Sequence, residues 1–238
     1  IKNIEIKKSH DIIELEKGKS DKLLLNILPK ETAIELKESG FATPKSYEKV
    51  TILFTDFKGF TRLSQHMPPE KLIKELNDCF RVFDEIVDEF GLEKIKTLGD
   101  GYMAAGGIPV ANETNPVDAV KAALKINEYM SQKYREKEAA GIPFWGTRIG
   151  LHTGNVVAGV IGARKFAYDI WGDSVNTASR MESGGEVGKV NISKDTYELI
   201  KDYFDCEYRG ELEIKNRGKM GMYFVGNIKP ATIEKANQ

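Results

Sequence analysis

Val50-Thr51-Ile52-Leu53-Phe54-Thr55-Asp56-Phe57-Lys58-Gly59-Phe60-Thr61-Arg62 is the stretch that decides the fold. Its first six residues are β-branched or apolar and read as a buried strand. The strand runs straight into Asp56. A buried, unpaired carboxylate is costly, so an acid at that place asks for a partner. Gly59, Phe60 and Thr61 follow in a short turn, where backbone N–H groups can cradle phosphate beside a carboxylate that holds Mg²⁺. A plainer reading makes Asp56 a cap on the next turn.

A second stretch weighs on that choice. Lys94-Ile95-Lys96-Thr97-Leu98 is strand-like, Gly99-Asp100-Gly101 reads as a tight hairpin turn, and Tyr102-Met103-Ala104-Ala105 returns. Asp100 therefore also sits at a strand end. If the two strands are neighbours, Asp56 and Asp100 point into one place. Paired carboxylates with few other protein ligands suit Mg²⁺, which keeps waters and leans on substrate phosphates. Two such ions about 3.5–4 Å apart suit displacement at phosphorus.

Composition bounds the rest. The 238 residues are 41% apolar and 30% charged, with a net charge of −1. That is enough chain for one good core. The near-zero charge gives no nucleic-acid footprint. Apolar runs fall far short of a membrane span, no signal peptide is visible, and a cytoplasmic domain is expected. Cys79 and Cys206 fit free thiols, and His10, His66 and His152 lack metal-ligand spacing. A start at Ile1 rather than Met reads as a piece of something longer.

Taken in order, residues 1–44 read as a linker or transducing helical segment. Ile6, Ile13 and Ile27 form a weak seam interrupted by Gly18. Pro29 and Gly40 bracket a helix, and Phe41–Lys49 reads as a loop. Pro68-Pro69 opens a long helix whose apolar face is Leu72, Ile73, Leu76, Phe80, Phe83, Val87 and Phe90, closed by Gly91. Asn115-Pro116 opens a second helix with Val120, Ala123, Leu124 and Met130 inward. Thr147–Thr153 reads as a strand with Arg148, Gly150 and His152 on one side. Asn155 marks a turn, and Val156–Ile161 returns as another strand. His152 reads as a structural polar side chain.

This order predicts an α+β fold, a ferredoxin-like βαββαβ core with an antiparallel sheet and helices on one face. After it come a short helix near Ser174–Met181, a strand at Val190–Ile192, a helix over Ser193–Tyr203 and a hairpin. The hairpin is expected to pair Glu211–Lys215 with Met222–Val225 across Asn216-Arg217-Gly218. Residues 229–238 read as a tail. Asn176 and Arg180, four apart, share a helix face, and an Arg aimed at phosphate stabilises phosphoryl transfer.

Phe-Thr-Asp-Phe-Lys-Gly-Phe-Thr at 54–61, Lys-Thr-Leu-Gly-Asp-Gly-Tyr at 96–102, Gly-Val-Ile-Gly at 159–162 and Tyr-Asp-Ile-Trp-Gly-Asp-Ser-Val-Asn-Thr-Ala-Ser-Arg-Met at 168–181 form an ordered set. Together, over residues 45–228, they resemble the class III nucleotidyl cyclase catalytic domain. The resemblance implies a homodimer with active sites at the subunit interface. It implies two Mg²⁺ (or Mn²⁺) ions on Asp56 and Asp100, assisted by the Phe57 carbonyl. Arg164 and Lys215 would contact the triphosphate, and Lys96 and Asp169 would read the purine. Asn176 would orient the ribose or a water, and Arg180 would steady charge on the α-phosphate.

Adenine shows an N1 acceptor and an N6 donor. Lys96 can only donate and ionised Asp169 only accept, so the pair complements adenine and points to ATP. Guanylyl members of the family tend to carry Glu and Cys at these places. The expected activity is adenylyl cyclase. A guanylyl or dual-specificity cyclase and an inactive signalling scaffold are the alternatives, the last disfavoured by intact Asp56, Asp100, Asn176 and Arg180. A diguanylate cyclase is discounted, because Gly184-Gly185-Glu186 follows a helix rather than sitting on a hairpin. An upstream sensor or transducer domain is expected.

Overall fold

The computed structural model describes residues 2–162, 165–214 and 218–229. The chain divides into two units, residues 1–45 with 158–169 and residues 46–157 with 170–238.

In the first unit, α1 (Lys2–Leu25) and α2 (Lys30–Ser39) are the helices. Gly18 does not interrupt α1, because glycine inside a helix costs only about 1 kcal/mol against alanine and the ladder carries through it. The seam expected from Ile6 to Ile27 fails at its far end: Ile27 lies beyond α1 and is exposed. Lys37 Nζ reaches Asp21 Oδ1 at 2.5 Å, joining the two helices. Gly40 takes the left-handed conformation at φ 80° and its N–H returns to the Leu36 carbonyl, ending α2 as the sequence suggested.

The second unit begins on β1 (Lys45–Lys58), which claims part of the loop expected over Phe41–Lys49. Val50, Ile52 and Leu53 are completely buried, so this is an interior strand. A five-residue helix, α3 (Phe60–Ser64), follows Gly59; no periodic signal in so short a segment announced it. Then come α4 (Pro69–Glu89), β2 (Glu93–Leu98), β3 (Gly101–Gly106) and α5 (Asn115–Ala139). The inner face of α4 is Cys79, Phe83, Ile86 and Val87. Ile73, expected on that face, is 61% exposed, because it lies one helical step round from Leu72 and Leu76.

Next is β4 (Gly146–Ile161), a single 16-residue strand. The turn expected at Asn155 does not form. Gly154 serves close packing instead: a Cβ there would sit 2.4 Å from Ser174 Oγ. A further strand, β5 (Ala167–Trp171), went unforeseen in the sequence and pairs with β4. The chain continues through α6 (Asp173–Ser183), β6 (Val190–Ser193), α7 (Lys194–Ile200), β7 (Phe204–Ile214) and β8 (Gly218–Ile228).

Along the sheet the order is β2-β3-β1-β4-β6-β8-β7. Its first four strands, with α4 and α5 as the connections, give the expected ferredoxin-like βαββαβ core. The sheet is not wholly antiparallel: β6 joins β4 in parallel, Ile149 opposite Val190. The final hairpin is longer than expected and its register differs. Glu211 faces Gly221 and Met222 faces Gly210, with bulges between Phe204 and Cys206 and between Tyr208 and Gly210. Each bulge adds an unpaired residue and so shifts every later pair.

The core of this unit holds Phe57, Phe83, Tyr102 and Trp145, all at most 2% exposed. Phe57 stacks on Trp145 with centroids 5.3 Å apart, and Phe83 meets Tyr102 edge-on at 5.5 Å. Asn115 pins the start of α5 to β1. Its Oδ1 accepts from the Thr51 backbone N–H at 3.1 Å and Thr51 Oγ1 at 2.7 Å. His152 is fully buried with Nδ1 2.8 Å from Ser193 Oγ, the structural role its place on the strand suggested.

Candidate active site

The register of β1 and β3 sets the two acids side by side. Thr55 faces Tyr102, which leaves Asp56 one step past the ladder on β1 and Asp100 in the turn just before β3. Gly101 permits the close turn, since a Cβ there would lie 3.3 Å from the Thr55 carbonyl oxygen. Burial pushes the Asp100 carboxyl above its ordinary range and Asp56 beside it adds to the rise, while the Phe57 backbone N–H hydrogen-bonds to it and pulls the other way. The two expected metal carboxylates thus share one place, with a backbone donor between them.

The Phe57 ring is 2% exposed and belongs to the core, so only its backbone faces the acids. Gly59 adopts φ 88° and opens α3, a backbone shape that favours glycine. Phe60 packs edge-on to Trp145 at 5.3 Å, and Thr61 is exposed. A groove of about 910 Å³ is lined by Lys58, Gly59, Thr61, Arg62 and Tyr134 among others; neither acid lines it.

Asp56 and Asp100 bring carboxylate oxygens to one place, a donor type that suits a hard cation. Among the described residues no three His, Cys, Asp or Glu side chains converge as a metal cage.

Two residues without a role in the sequence reading complete the acidic end. Arg148 on β4 donates through Nη2 to Asp56 Oδ2 at 2.6 Å. The same nitrogen is 2.9 Å from Glu182 Oε1. Burial lifts the Glu182 carboxyl to about 7; Arg148 opposes the rise, and Asp56 and Asp100 add to it. The only sequence signal was the alternation that put Arg148 on one side of its strand with Gly150 and His152.

Asn176 and Arg180 both lie on α6 as expected, Asn176 exposed and Arg180 half-buried. Arg180 Nη1 is 3.5 Å from the Glu213 carbonyl on β7. Lys96 is half-buried on β2, just past the bulge at Lys94. Asp169 is half-buried on β5, in the first unit. Arg164 and Lys215 lie outside the described residues.

Residues 42–227 match the family described as the adenylate and guanylate cyclase catalytic domain. The chain belongs to that family. It is 37% identical to human guanylyl cyclase C, across 98% of this chain and 23% of that protein. It is 38% identical to an adenylate cyclase of Mycobacterium bovis, across 92% of this chain and 49% of that protein. It thus spans about half, or less, of these relatives' lengths. Among solved structures it resembles the guanylate cyclase domain of RhGC from Catenaria anguillulae in complex with GTP, with a TM-score of 0.71 and 35% identity over 78% of this chain and 100% of that one. Among the described residues no helix is long and apolar enough to cross a membrane.

Proposed function

We propose that this nucleotidyl cyclase domain is an adenylyl cyclase: it converts ATP to 3′,5′-cyclic AMP and pyrophosphate, in residues 45–228, as a homodimer with shared sites. The observation that carries the cyclase chemistry is the pairing of Asp56 with Asp100 at one end of the sheet, beside the turn at Gly59 that opens α3.

Asp56, Asp100 and the Phe57 carbonyl would hold two divalent cations, Mg²⁺ or Mn²⁺. Bound there, the ions would acidify the ribose 3′-hydroxyl and neutralise charge on the leaving pyrophosphate. The chain's own residues do the rest. Backbone N–H groups at Gly59, Phe60 and Thr61 bind phosphate oxygens. Arg180 offers a guanidinium to the charge that develops on the α-phosphate, and Asn176 orients the ribose. Arg164 and Lys215 are assigned to the triphosphate by family resemblance alone.

The choice of ATP rests on Lys96 and Asp169, a donor and an acceptor that complement adenine and would leave guanine's edge unmatched. A guanylyl cyclase is the second reading, because the human relative carries that name. Incubating the chain with ATP or GTP, plus Mg²⁺ or Mn²⁺, and resolving the products by chromatography separates the two. Cyclic AMP in clear excess supports the proposal; cyclic GMP in excess, or no cyclic product, overturns it.

A further inference from the structure

Arg148, Gly150, His152 and Gly154 alternate along one face of β4, and α6 lies on that face. A Cβ at Gly150 would fall 1.9 Å from the Glu182 backbone nitrogen, and one at Gly154 would fall 2.4 Å from Ser174 Oγ. Both glycines let the helix backbone touch the strand. The contact at Gly150 brings the last turn of α6 directly over Arg148.

There the Arg148 side chain is only 18% exposed and Glu182 only 10%. The guanidinium binds Asp56 at 2.6 Å, lies 2.9 Å from Glu182, and sends Nη1 to the Ser183 carbonyl at 3.2 Å. A planar fork with three acceptors on two elements fixes direction as well as charge, which lysine cannot reproduce. One end of this bridge is the candidate metal carboxylate. The other end is the helix that carries Asn176 and Arg180.

We propose that Arg148 and Glu182 are positioning residues for cyclisation: Arg148 aims Asp56 at the cation and ties it to α6, and Glu182 shares the guanidinium so that it does not neutralise Asp56. This rests on Asp56 being a metal ligand. A guanidinium held by Asp56 alone would compete with a divalent cation for that carboxylate. Shared with Glu182, whose Oε1 lies 2.9 Å from the same Nη2, the guanidinium charge is offset beside Asp56 whenever Glu182 is ionised, and Asp56 then keeps its attraction for metal. The charged groups facing this cluster are Asp56, Asp100, Arg148 and Glu182.

The test titrates the full chain with Mn²⁺ alone, followed by electron paramagnetic resonance, for the wild type and for Asp56→Asn, Glu182→Gln and the double variant Arg148→Gln/Glu182→Gln. The double variant removes the Arg148 and Glu182 charges together, so neither is left buried without the other. Glu182→Gln is expected to weaken Mn²⁺ binding about tenfold, and the double variant to restore it to within about threefold of wild type. With ATP, the double variant should keep its KM and lose about tenfold in kcat, because Asp56 is bound but no longer aimed. A merely structural pair would lower the melting temperature without moving Mn²⁺ affinity. Wild-type Mn²⁺ affinity in Glu182→Gln, or wild-type kcat in the double variant, overturns the inference. If Asp56→Asn also binds Mn²⁺ like the wild type, the metal reading falls and the inference falls with it.

Discussion

Arg180 and Glu182 stand two residues apart on α6 and serve different neighbours. Glu182 turns to Arg148 at 2.9 Å, while Arg180 turns to the Glu213 carbonyl on β7 at 3.5 Å. Residues two apart on a helix do not share a face. The helix therefore presents one side to its own chain's Asp56 cluster and Arg180 to another.

The proposed sharing of each site between two chains is checked by mixing variants. Asp56→Ala and Arg180→Ala should each be nearly inactive, the latter by roughly two orders of magnitude in kcat. If the chains exchange freely, half the dimers are mixed and each mixed dimer has one intact site. Cyclic AMP formation should then recover to roughly a quarter of wild type. No recovery despite demonstrated exchange places each site within a single chain.

Base choice is open to exchange of Lys96 and Asp169, the two residues proposed to read the purine. Lys96→Glu with Asp169→Cys inverts the donor and acceptor pattern. The ratio of ATP to GTP turnover should fall by at least about tenfold. An unchanged ratio under competing substrates would remove Lys96 and Asp169 from base recognition.

Stability at the start of α5 depends on one side chain. Asn115→Ala removes the acceptor of the buried Thr51 N–H and one of the two partners of its hydroxyl, the other being Thr153 Oγ1. The expected cost is about 2–3 kcal/mol. Calorimetry should show the melting temperature falling by roughly 5–10 °C. A fall of less than a degree would mean that water or Asn112 replaces the lost bonds.

Glu93 supplies a pH test. Burial raises its carboxyl, and Asp88 adds to the rise. A carboxyl raised on folding binds its proton more tightly in the native state. Stability is therefore lost as pH climbs from the unfolded value near 4.5 through the folded one. Glu93→Gln should melt higher than wild type at pH 7 and equally at pH 4. Equal melting at both would show that Glu93 carries no burial penalty.

Much of this was legible in the chain. Asp56 and Asp100 announced themselves because strands are apolar and neither acid belongs inside one. The long helices showed through their periodicity, although Ile73 shows how one apolar residue can fall off the face. The turn expected at Asn155 does not form: Gly154 beside it serves close approach, with Ser174 in the space a Cβ would need, and β4 runs on through both. The final hairpin's register was hidden by bulges, which no alternation pattern reveals. Arg148 and Glu182 lie far apart in sequence, and only the contact of α6 with Gly150 brings them together.

The central claim is that two acids at the ends of β1 and the β2–β3 hairpin drive nucleotide cyclisation. The most direct test measures cyclic AMP formed from ATP and Mn²⁺ by the wild type, Asp56→Ala and Asp100→Ala, each first shown to melt cooperatively. Wild-type turnover with both variants reduced to background is the expected result. Near-normal cyclic AMP formation by either variant would contradict the account.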